Sequence, residues 1–305
     1  MKILVFGRNG QVGWELQRAL APLGLVVALG RSAAGGLRSD FRDPEALAAT
    51  VREVSPDVIV NAAAHTAVDL AESEPELART VNAVAPGVLA REAQQIDALL
   101  VHYSTDYVFD GSGAAPWKES DAARPLNVYG RTKLEGEEAI RGSGCRHLIL
   151  RTSWVYAARG KNFLRTILRL AASRDTLRMV NDQIGAPTAA ELIADLTAHA
   201  IQRVRADARR AGTYHVAAAG ETNWHEYACF IVDRAREAGW TLRMSSSNIE
   251  PVPTEAFPLP ALRSRNSRLD CSAFARAFGL YFADWREGVE RAIEELRPHE
   301  VGADQ

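Results

Sequence analysis

The chain has 305 residues, and its 36 basic and 38 acidic side chains leave a net charge of −2 at pH 7. This balance, without a run of Lys and Arg, argues against nucleic acid or anionic lipid as a partner and favours a small-molecule ligand. The three cysteines lack metal-binding spacing, and no segment has the pattern of a signal peptide or membrane span, so we expect a cytoplasmic protein with free thiols.

Strand-like and helical segments alternate through the first half of the chain. The predicted strands are 3–6, 25–29, 58–61, 99–103 and 147–151. The predicted helices are 15–21, 44–54, 76–95 and 129–140. Alternation of this kind predicts an α/β fold with a doubly wound parallel sheet of the Rossmann type.

Beyond residue 151 predicted strands and helices alternate less regularly. Helices are predicted near 163–172, 189–206, 224–238 and 282–296, and four prolines between 251 and 260 indicate a loop. We therefore predict a dinucleotide-binding domain over 1–155, with returns from about 175–205. The rest, 156–305, is predicted to form mainly a smaller, mixed α/β substrate-binding lobe that is interleaved with the first.

Gly7, Gly10 and Gly13 have the spacing Gly-x-x-Gly-x-x-Gly between the first predicted strand and the first predicted helix. Positions without a side chain let the backbone approach a pyrophosphate, and the helix N-terminus offers free N–H groups to it. The pattern predicts a dinucleotide site of the short-chain dehydrogenase type. Gln11 and Val12, within the same loop, are candidate cofactor contacts.

The second predicted strand ends in Arg31 and Ser32, where an NAD-specific site usually places an acidic residue. A cation and a hydroxyl favour acceptance of NADPH alongside NADH, although Arg31 can also be read as a solvated surface charge. Asp40 can accept from the adenine amino group, with Phe41 beside it. After the third strand, small side chains are expected to lie against a ribose: Ala62, Ala63 and Ala64.

Tyr129 and Lys133 form a Tyr-x-x-x-Lys motif on one face of a predicted helix. Reduction of a carbonyl by hydride leaves an alkoxide that needs a proton, and a nearby ammonium makes a phenol more acidic. Thr105 follows a predicted strand, at the sheet edge where such folds place their chemistry, and it can polarise the carbonyl. The three residues predict a reductase site, in which Tyr129 and Lys133 also contact the cofactor.

With these motifs the sequence resembles the dTDP-4-dehydrorhamnose reductase family of extended short-chain dehydrogenases, from residue 1 to about residue 296. The matching segments are 7–16, 61–69, 104–111, 129–137, 151–156 and 182–188. The resemblance implies NAD(P)H-dependent reduction of the C4 keto group of dTDP-4-dehydro-β-L-rhamnose. It also implies catalytic roles for Thr105, Tyr129 and Lys133, and contact of Thr105 and Asp106 with the sugar. Trp154 is expected to stack on the sugar ring, with ordinary core packing as the alternative.

The same resemblance suggests a homodimer bridged by Mg²⁺, with Glu15, Glu191 and Glu295 at the matching positions. Each glutamate also makes sense as an exposed helix residue, and the position of Glu295 is ambiguous beside Glu294. His65 stands where many members carry Tyr. Two other functions remain open: a nucleotide-sugar epimerase or dehydratase of the same superfamily, and a non-catalytic regulatory subunit that binds a dinucleotide.

Overall fold

The computed structural model describes residues 1–31 and 36–297. Its strands are β1 (Lys2–Phe6), β2 (Leu25–Leu29), β3 (Val58–Asn61), β4 (Leu99–Thr105), β5 (His147–Thr152), β6 (Val155–Tyr156), β7 (Leu177–Val180), β8 (Ile184–Gly185), β9 (Thr188–Ala189), β10 (Gly212–His215), β11 (Thr222–Asn223) and β12 (Ile249–Val252). Six of them form one parallel sheet in the order β10-β5-β4-β3-β1-β2. The change of direction in strand order lies between β1 and β3, where doubly wound folds open a binding crevice.

The helices lie on both faces of this sheet or in a second lobe. They are α1 (Gln11–Leu20), α2 (Pro44–Val54), α3 (Val68–Ser73), α4 (Pro75–Arg79), α5 (Ala85–Gln95), α6 (Val128–Gly142), α7 (Phe163–Ser173), α8 (Ala190–Ala206), α9 (Trp224–Glu237), α10 (Ser272–Phe278) and α11 (Trp285–Leu296). One core cluster joins the sheet to α1, α8 and α10, and another joins the opposite face to α2 and α5. Strands β1, β3 and β4 are buried on both faces, as their continuous apolar runs require.

The second lobe has its own core, built from α7, α9 and α11 around aromatic rings such as Tyr227 and Trp285. Its strand pairs are short: β6 with β9, β7 with β12, and β8 with β11. Between these pieces the chain comes back to the main sheet through α8, which packs on α1, and then through β10, which extends the sheet beside β5. The two lobes are therefore interleaved along the sequence.

The predicted α/β fold with a doubly wound parallel sheet is confirmed. The five predicted strands and the helices of the first half are found within a few residues of their expected bounds. The helix expected over 76–95 is continuous but contains a π-helical segment, Thr80–Val84, between α4 and α5. In residues 1–31 and 36–297, no helix combines the length and apolar character needed to cross a membrane.

Candidate active site

The glycine loop leaves β1 at Phe6 and enters α1 at Gln11, so its backbone N–H groups lie at a helix N-terminus. Gly7 has φ +87°, and a Cβ atom there would lie 2.6 Å from the backbone of Ala62. A Cβ on Gly13 would lie 2.0 Å from the carbonyl oxygen of Gly7. Because these contacts leave no room for a side chain, the loop forms the kind of bare backbone cradle that a pyrophosphate requires.

A segment of the second lobe lies against this loop. The side-chain oxygen of Gln11 accepts a 2.7 Å hydrogen bond from Asn162, the N-cap residue of α7, and the Gln11 amide lies 3.5 Å from the carbonyl of Val155. Val12 packs against the core beneath the loop. The rim of the predicted pyrophosphate site is thus built from both lobes, and Asn162 is a member that the sequence analysis missed.

At the end of β2, Arg31 is exposed, and Ser32 lies outside the described residues. Asp40 is bound by Arg42, whose guanidinium approaches its carboxylate at 2.5 and 3.0 Å. This hydrogen bond and the positive charge hold the pKa of Asp40 below its ordinary value. Phe41 is only 5% exposed and packs edge-on against Phe6, at 5.6 Å between ring centroids. Its ring therefore supports the core below the expected adenine site.

The residues after β3 close the other side of the loop. Ala62, Ala63 and Ala64 are partly buried, and the backbone of Ala62 faces Gly7. His65 is held through its backbone by the Asn82 side chain, with bonds of 2.8 and 3.1 Å, and its ring lies 3.4 Å from Glu74. His65 is thus fixed by structural contacts in this segment.

Thr105 ends β4 and lies 4% exposed beside the start of α6. Its hydroxyl donates to Asp106 at 3.0 Å and also interacts with the hydroxyl of Tyr129, the second residue of α6. The side chain of Asn127 caps α6 by accepting from the Gly130 N–H at 2.8 Å, which fixes the first turn that carries Tyr129. The two hydroxyls expected to act on one carbonyl are therefore brought together at the carboxyl edge of the sheet.

Lys133 is 2% exposed and lies one turn after Tyr129. Burial lowers the pKa of Lys133 to about 8, although the Glu137 carboxylate opposes this change. Burial also raises the pKa of Tyr129 to about 12, against the lowering effect of the Thr105 hydroxyl. The direction for Tyr129 is opposite to the acidification expected from its ammonium neighbour, because desolvation of the phenolate outweighs the interactions that favour it.

Asp106 is 2% exposed, and its Oδ2 atom has no hydrogen-bond partner within the described part of the chain. Burial raises the pKa of Asp106 to about 6, although the hydroxyls of Ser267 and Thr105 lower it in part. Ser267 is 4% exposed and belongs to a segment of the C-terminal region whose backbone pairs with Ile184, and sequence reasoning did not single it out. An unpartnered oxygen next to Thr105 is well suited to accept from a substrate hydroxyl.

We expect Asp106→Asn to stabilise the protein at pH 8 while reducing its activity. A carboxyl group whose pKa is raised on folding favours the folded state only when protonated, so its ionisation between about pH 4 and 6 costs stability, on the order of 1–3 kcal/mol. The gain in thermal midpoint should shrink as the pH falls from about 6 to about 4, and it should be absent below that range. Asp110, whose pKa is lowered by Ser112, provides the contrast: Asp110→Asn should give no gain at pH 8. Equal midpoints for Asp106→Asn and wild type at pH 8 would contradict this account.

Behind the site, a buried ion pair joins α6 to β5. Glu137 is fully buried and accepts from the guanidinium of Arg151 at 2.9 and 2.7 Å, from Arg141 at 3.0 Å and from Ser104. Burial raises the pKa of Glu137, but the bonds and charge of Arg151 outweigh it and hold the pKa below its ordinary value. This pair anchors the helix of Tyr129 to the strands that carry Thr105.

Trp154 follows β5 with φ +49°, a backbone conformation that non-glycine residues rarely adopt. Its ring stacks on Trp224 at 3.7 Å between centroids and lies against Gly185, where a Cβ atom would come within 2.7 Å of the ring. Trp154 therefore packs against the second lobe on at least one face. It remains partly exposed, so stacking of its free surface on a sugar stays a prediction.

The glutamates suggested as Mg²⁺ ligands do not form a metal site in a single chain. Within residues 1–31 and 36–297, no group of three or more His, Cys, Asp or Glu side chains could hold a metal ion. Glu15 lies 3.4 Å from Arg18, and Glu191 lies 2.8 Å from Arg291. Glu295 lies on α11. Because two of the three carboxylates form ion pairs with arginine, we assign no step of the reaction to a metal ion.

Comparison with known proteins agrees with this geometry. Residues 1–298 match the family model described as RmlD substrate binding domain. The chain is 54% identical to a dTDP-4-dehydrorhamnose reductase of Salmonella typhimurium over 296 residues, which are 97% of this chain and 98% of the relative. The corresponding protein of Escherichia coli K12 is 53% identical over the same coverage.

Solved structures give the same result. A dTDP-4-dehydrorhamnose reductase of Clostridium acetobutylicum superposes with a TM-score of 0.87 at 33% identity, covering 98% of this chain and all of that one. A Bacillus anthracis dTDP-4-dehydrorhamnose reductase in complex with NADP superposes with a TM-score of 0.86 at 32% identity, covering 96% of this chain and 99% of that one. The parallel sheet, glycine loop and Tyr-x-x-x-Lys helix define an extended short-chain dehydrogenase/reductase. Within that class, the chain belongs to the dTDP-4-dehydrorhamnose reductase family.

Proposed function

We propose that this chain is an NAD(P)H-dependent reductase that converts dTDP-4-dehydro-β-L-rhamnose to dTDP-β-L-rhamnose. The observation that carries the proposal is the placement of Thr105, at the end of β4 on the carboxyl edge of the sheet, beside the first turn of α6, where its hydroxyl lowers the pKa of the Tyr129 phenol in part. The glycine loop lies at the same edge, at the end of β1, so a dinucleotide held there is within reach of these hydroxyls. When bound, the reduced nicotinamide supplies the hydride that attacks C4 of the sugar.

Tyr129 is the proton donor in this reaction. With a pKa of about 12, its phenol stays protonated at neutral pH and is ready to give its proton to the new C4 alkoxide. Thr105 orients and polarises the carbonyl through its hydroxyl. Lys133 holds the nicotinamide ribose and places a positive charge next to the developing phenolate, which favours proton release.

We assign the sugar contacts to two residues at the carboxyl edge of the sheet, one directly after β4 and one shortly after β5. We propose that Asp106 accepts from a sugar hydroxyl, and that Trp154 offers its exposed surface to the pyranose ring. We divide the molecule into a dinucleotide-binding domain over 1–155, with returns from about 175–205, and a substrate-binding lobe formed mainly by 156–305. The packing of α8 on α1 supports a return within that range, whereas β7 pairs with β12 outside the main sheet.

For the dinucleotide, we propose that NADPH is accepted, with NADH as a second donor. Exposed Arg31 at the end of β2 can pair with a 2′-phosphate, and no acidic side chain stands at that position to repel one. The Bacillus anthracis relative is a complex with NADP. Asp40 keeps its negative charge through Arg42 and can still accept from the adenine amino group.

The proposed function predicts one dinucleotide oxidised for each sugar reduced. The assay follows loss of absorbance from NADPH and from NADH with dTDP-4-dehydro-rhamnose generated in place, and mass spectrometry measures dTDP-rhamnose. Stoichiometric consumption supports the reductase. An isomerised or dehydrated sugar without net NADPH loss would identify an epimerase or dehydratase, and absence of turnover with tight dinucleotide binding would identify a regulatory subunit.

We also propose a cytoplasmic homodimer; the family resemblance supports the dimer, and the lack of a signal-peptide or membrane-span pattern in the sequence supports the location. Light scattering of the purified protein gives its subunit count. Repeating the measurement in EDTA asks whether Mg²⁺ contributes to the assembly through Glu15, Glu191 and Glu295. For this the guanidiniums of Arg18 and Arg291 would have to leave their carboxylates.

A further inference from the structure

A chain of buried polar groups runs from the catalytic lysine into the core. Nζ of Lys133 donates to the carbonyl of Tyr103 at 2.6 Å and lies 3.1 Å from Nε2 of His102. The other ring nitrogen of His102, Nδ1, lies 3.0 Å from the amide nitrogen of Asn61. Asn61 in turn accepts from the N–H of Ala63 at 3.1 Å. The side chains of Lys133, His102 and Asn61 are at most 2% exposed.

The direction of each hydrogen bond in this chain is fixed by its far end. The N–H of Ala63 can only donate, so the oxygen of the Asn61 amide must face it, and the amide nitrogen must face His102. Nδ1 of His102 is therefore an acceptor. Burial, together with the nearby charge of Lys133, places the pKa of His102 well below its ordinary value, so the ring is neutral and carries its one proton on Nε2.

This proton points at Nζ of Lys133. When the lysine is charged, the N–H of His102 therefore faces an ammonium group, which is also a hydrogen-bond donor. An ammonium group has three N–H bonds and no lone pair, so it cannot accept from His102. The neutral amine can. Moving the imidazole proton to Nδ1 would free Nε2 to accept, but it would then oppose the amide nitrogen of Asn61 at 3.0 Å. In either tautomer the charged lysine leaves one donor facing another.

We propose that His102 is a positioning residue for the reduction: oriented by Asn61, its imidazole N–H opposes the ammonium form of Lys133 and so sets the pH at which the lysine loses its charge. His102 and Asn61 are each 1% exposed, so this chain of groups ends in the core. Its role is to hold the lysine, and proton supply to Tyr129 must come from the cleft side.

Other groups near Lys133 also affect its pKa. On α6, Glu137 raises the pKa of Lys133, but this carboxylate is already paired with Arg151 and Arg141. Tyr129 lies one turn earlier on the same helix, and β4 contributes the neutral carbonyl of Tyr103. Burial is the main cause that lowers the pKa of Lys133 to about 8. The N–H of His102 adds a directional effect to that burial.

The charge of Lys133 can be titrated directly, without turnover. The chain has only four lysines, so ¹³Cε-lysine labelling gives four NMR signals, and Lys133→Arg identifies the one of interest. Gln at position 102 can turn its amide oxygen toward Nζ, so His102→Gln should raise the titration midpoint of Lys133 by about one pH unit. His199→Gln, on the exposed side of α8, is the matched control and should leave the midpoint unchanged.

An unchanged Lys133 midpoint in a folded His102→Gln protein would overturn the proposal, because burial alone would then account for the titration. A second measurement needs no variant: long-range ¹H–¹⁵N spectra of the wild type report which nitrogen of His102 carries the proton. We expect Nε2, and a protonated Nδ1 would equally overturn the proposal. This measurement decides the matter even where the variant does not fold.

The consequence for catalysis rests on the proposed function, in which charged Lys133 assists Tyr129. The alkaline limb of the pH profile of kcat/KM should move to higher pH in His102→Gln by the same amount as the NMR midpoint, whereas His199→Gln should match the wild type. A shifted NMR midpoint with an unmoved alkaline limb would refute the catalytic consequence. If the wild type showed no reductase activity, the proposed function would fail while the NMR result on the pair still stood.

Discussion

We expect Tyr129→Phe to bind NADPH about as tightly as the wild type and to reduce the sugar about 10²–10⁴ times more slowly. The substitution removes one hydroxyl, the proposed proton donor, and keeps the ring. That ring packs edge-on against Tyr107 at 5.6 Å between centroids, so its place on α6 does not depend on the hydroxyl. Fluorescence titration with NADPH and initial rates at saturating substrate measure the two quantities separately.

Tyr281→Phe is the matched control, since this tyrosine is 95% exposed and lies far along the chain from the catalytic motif. Its kcat should equal that of the wild type. If Tyr129→Phe kept more than about one tenth of wild-type turnover, the phenol could not be the main proton donor, because general acid catalysis is worth at least a factor of about 100. Water or Thr105 would then have to supply the proton.

Several features of this site could be predicted from sequence because local signals specify them. The glycine loop is short, and its spacing reflects close backbone packing: a Cβ atom added at Gly13 would lie 2.0 Å from the carbonyl oxygen of Gly7. Tyr129 and Lys133 share a helical face through their spacing alone. Thr105 could be placed because parallel strands end at one edge of the sheet. In each case a few consecutive residues carry the information.

Other features depend on segments that are distant in sequence, and periodicity does not report them. Strand β10 joins the sheet only because it pairs with β5, and its sequence, Gly212–His215, has little apolar content of its own. Phe41 is aromatic and lies near the expected adenine site, yet its ring packs against Phe6 in the core. The contact of Ser267 with Asp106 likewise joins residues more than 100 positions apart.

The pKa values of Tyr129 and Lys133 likewise could not be predicted from the sequence alone. A Tyr-x-x-x-Lys pattern indicates a cation near a phenol, but the sign of the shift depends on how much water surrounds both groups. In the folded chain, burial dominates for Tyr129 and Lys133 alike, raising one pKa and lowering the other. The sequence pattern predicts which two residues act together, while their proton affinities are set by the packing around them.

The second large effect that we expect concerns stability. Glu137→Gln should lower the free energy of unfolding by about 3 kcal/mol, because it leaves the guanidinium of Arg151, which is 4% exposed, without a charged partner. Urea unfolding, with comparison of midpoints and slopes, measures the change. Turnover should fall as well, since the pair ties α6, which carries Tyr129, to the strands that carry Thr105.

Glu135→Gln is the matched control on the same helix. Its partner is Arg79, and the two side chains are 42% and 57% exposed, so its loss should cost less than about 1 kcal/mol. Equal effects for the two variants would mean that burial of Glu137 contributes nothing. The cost of Glu137→Gln should also depend on pH. The folded pKa of Glu137 is lowered, so its stabilisation is present above the ordinary value of 4.5 and is lost as the pH falls through the folded pKa.

A double variant separates the loss of an attraction from the cost of an isolated charge. Arg151 also lies over the ring of Phe109, with its guanidinium carbon 5.2 Å from the ring centroid, and the aliphatic part of its side chain fills core space that methionine could fill. Adding Arg151→Met to Glu137→Gln removes the unpaired cation. If the desolvated charge is the main cost, the double variant should be more stable than Glu137→Gln alone. A double variant that is less stable than the single one would show that the guanidinium contributes mainly through contacts other than Glu137.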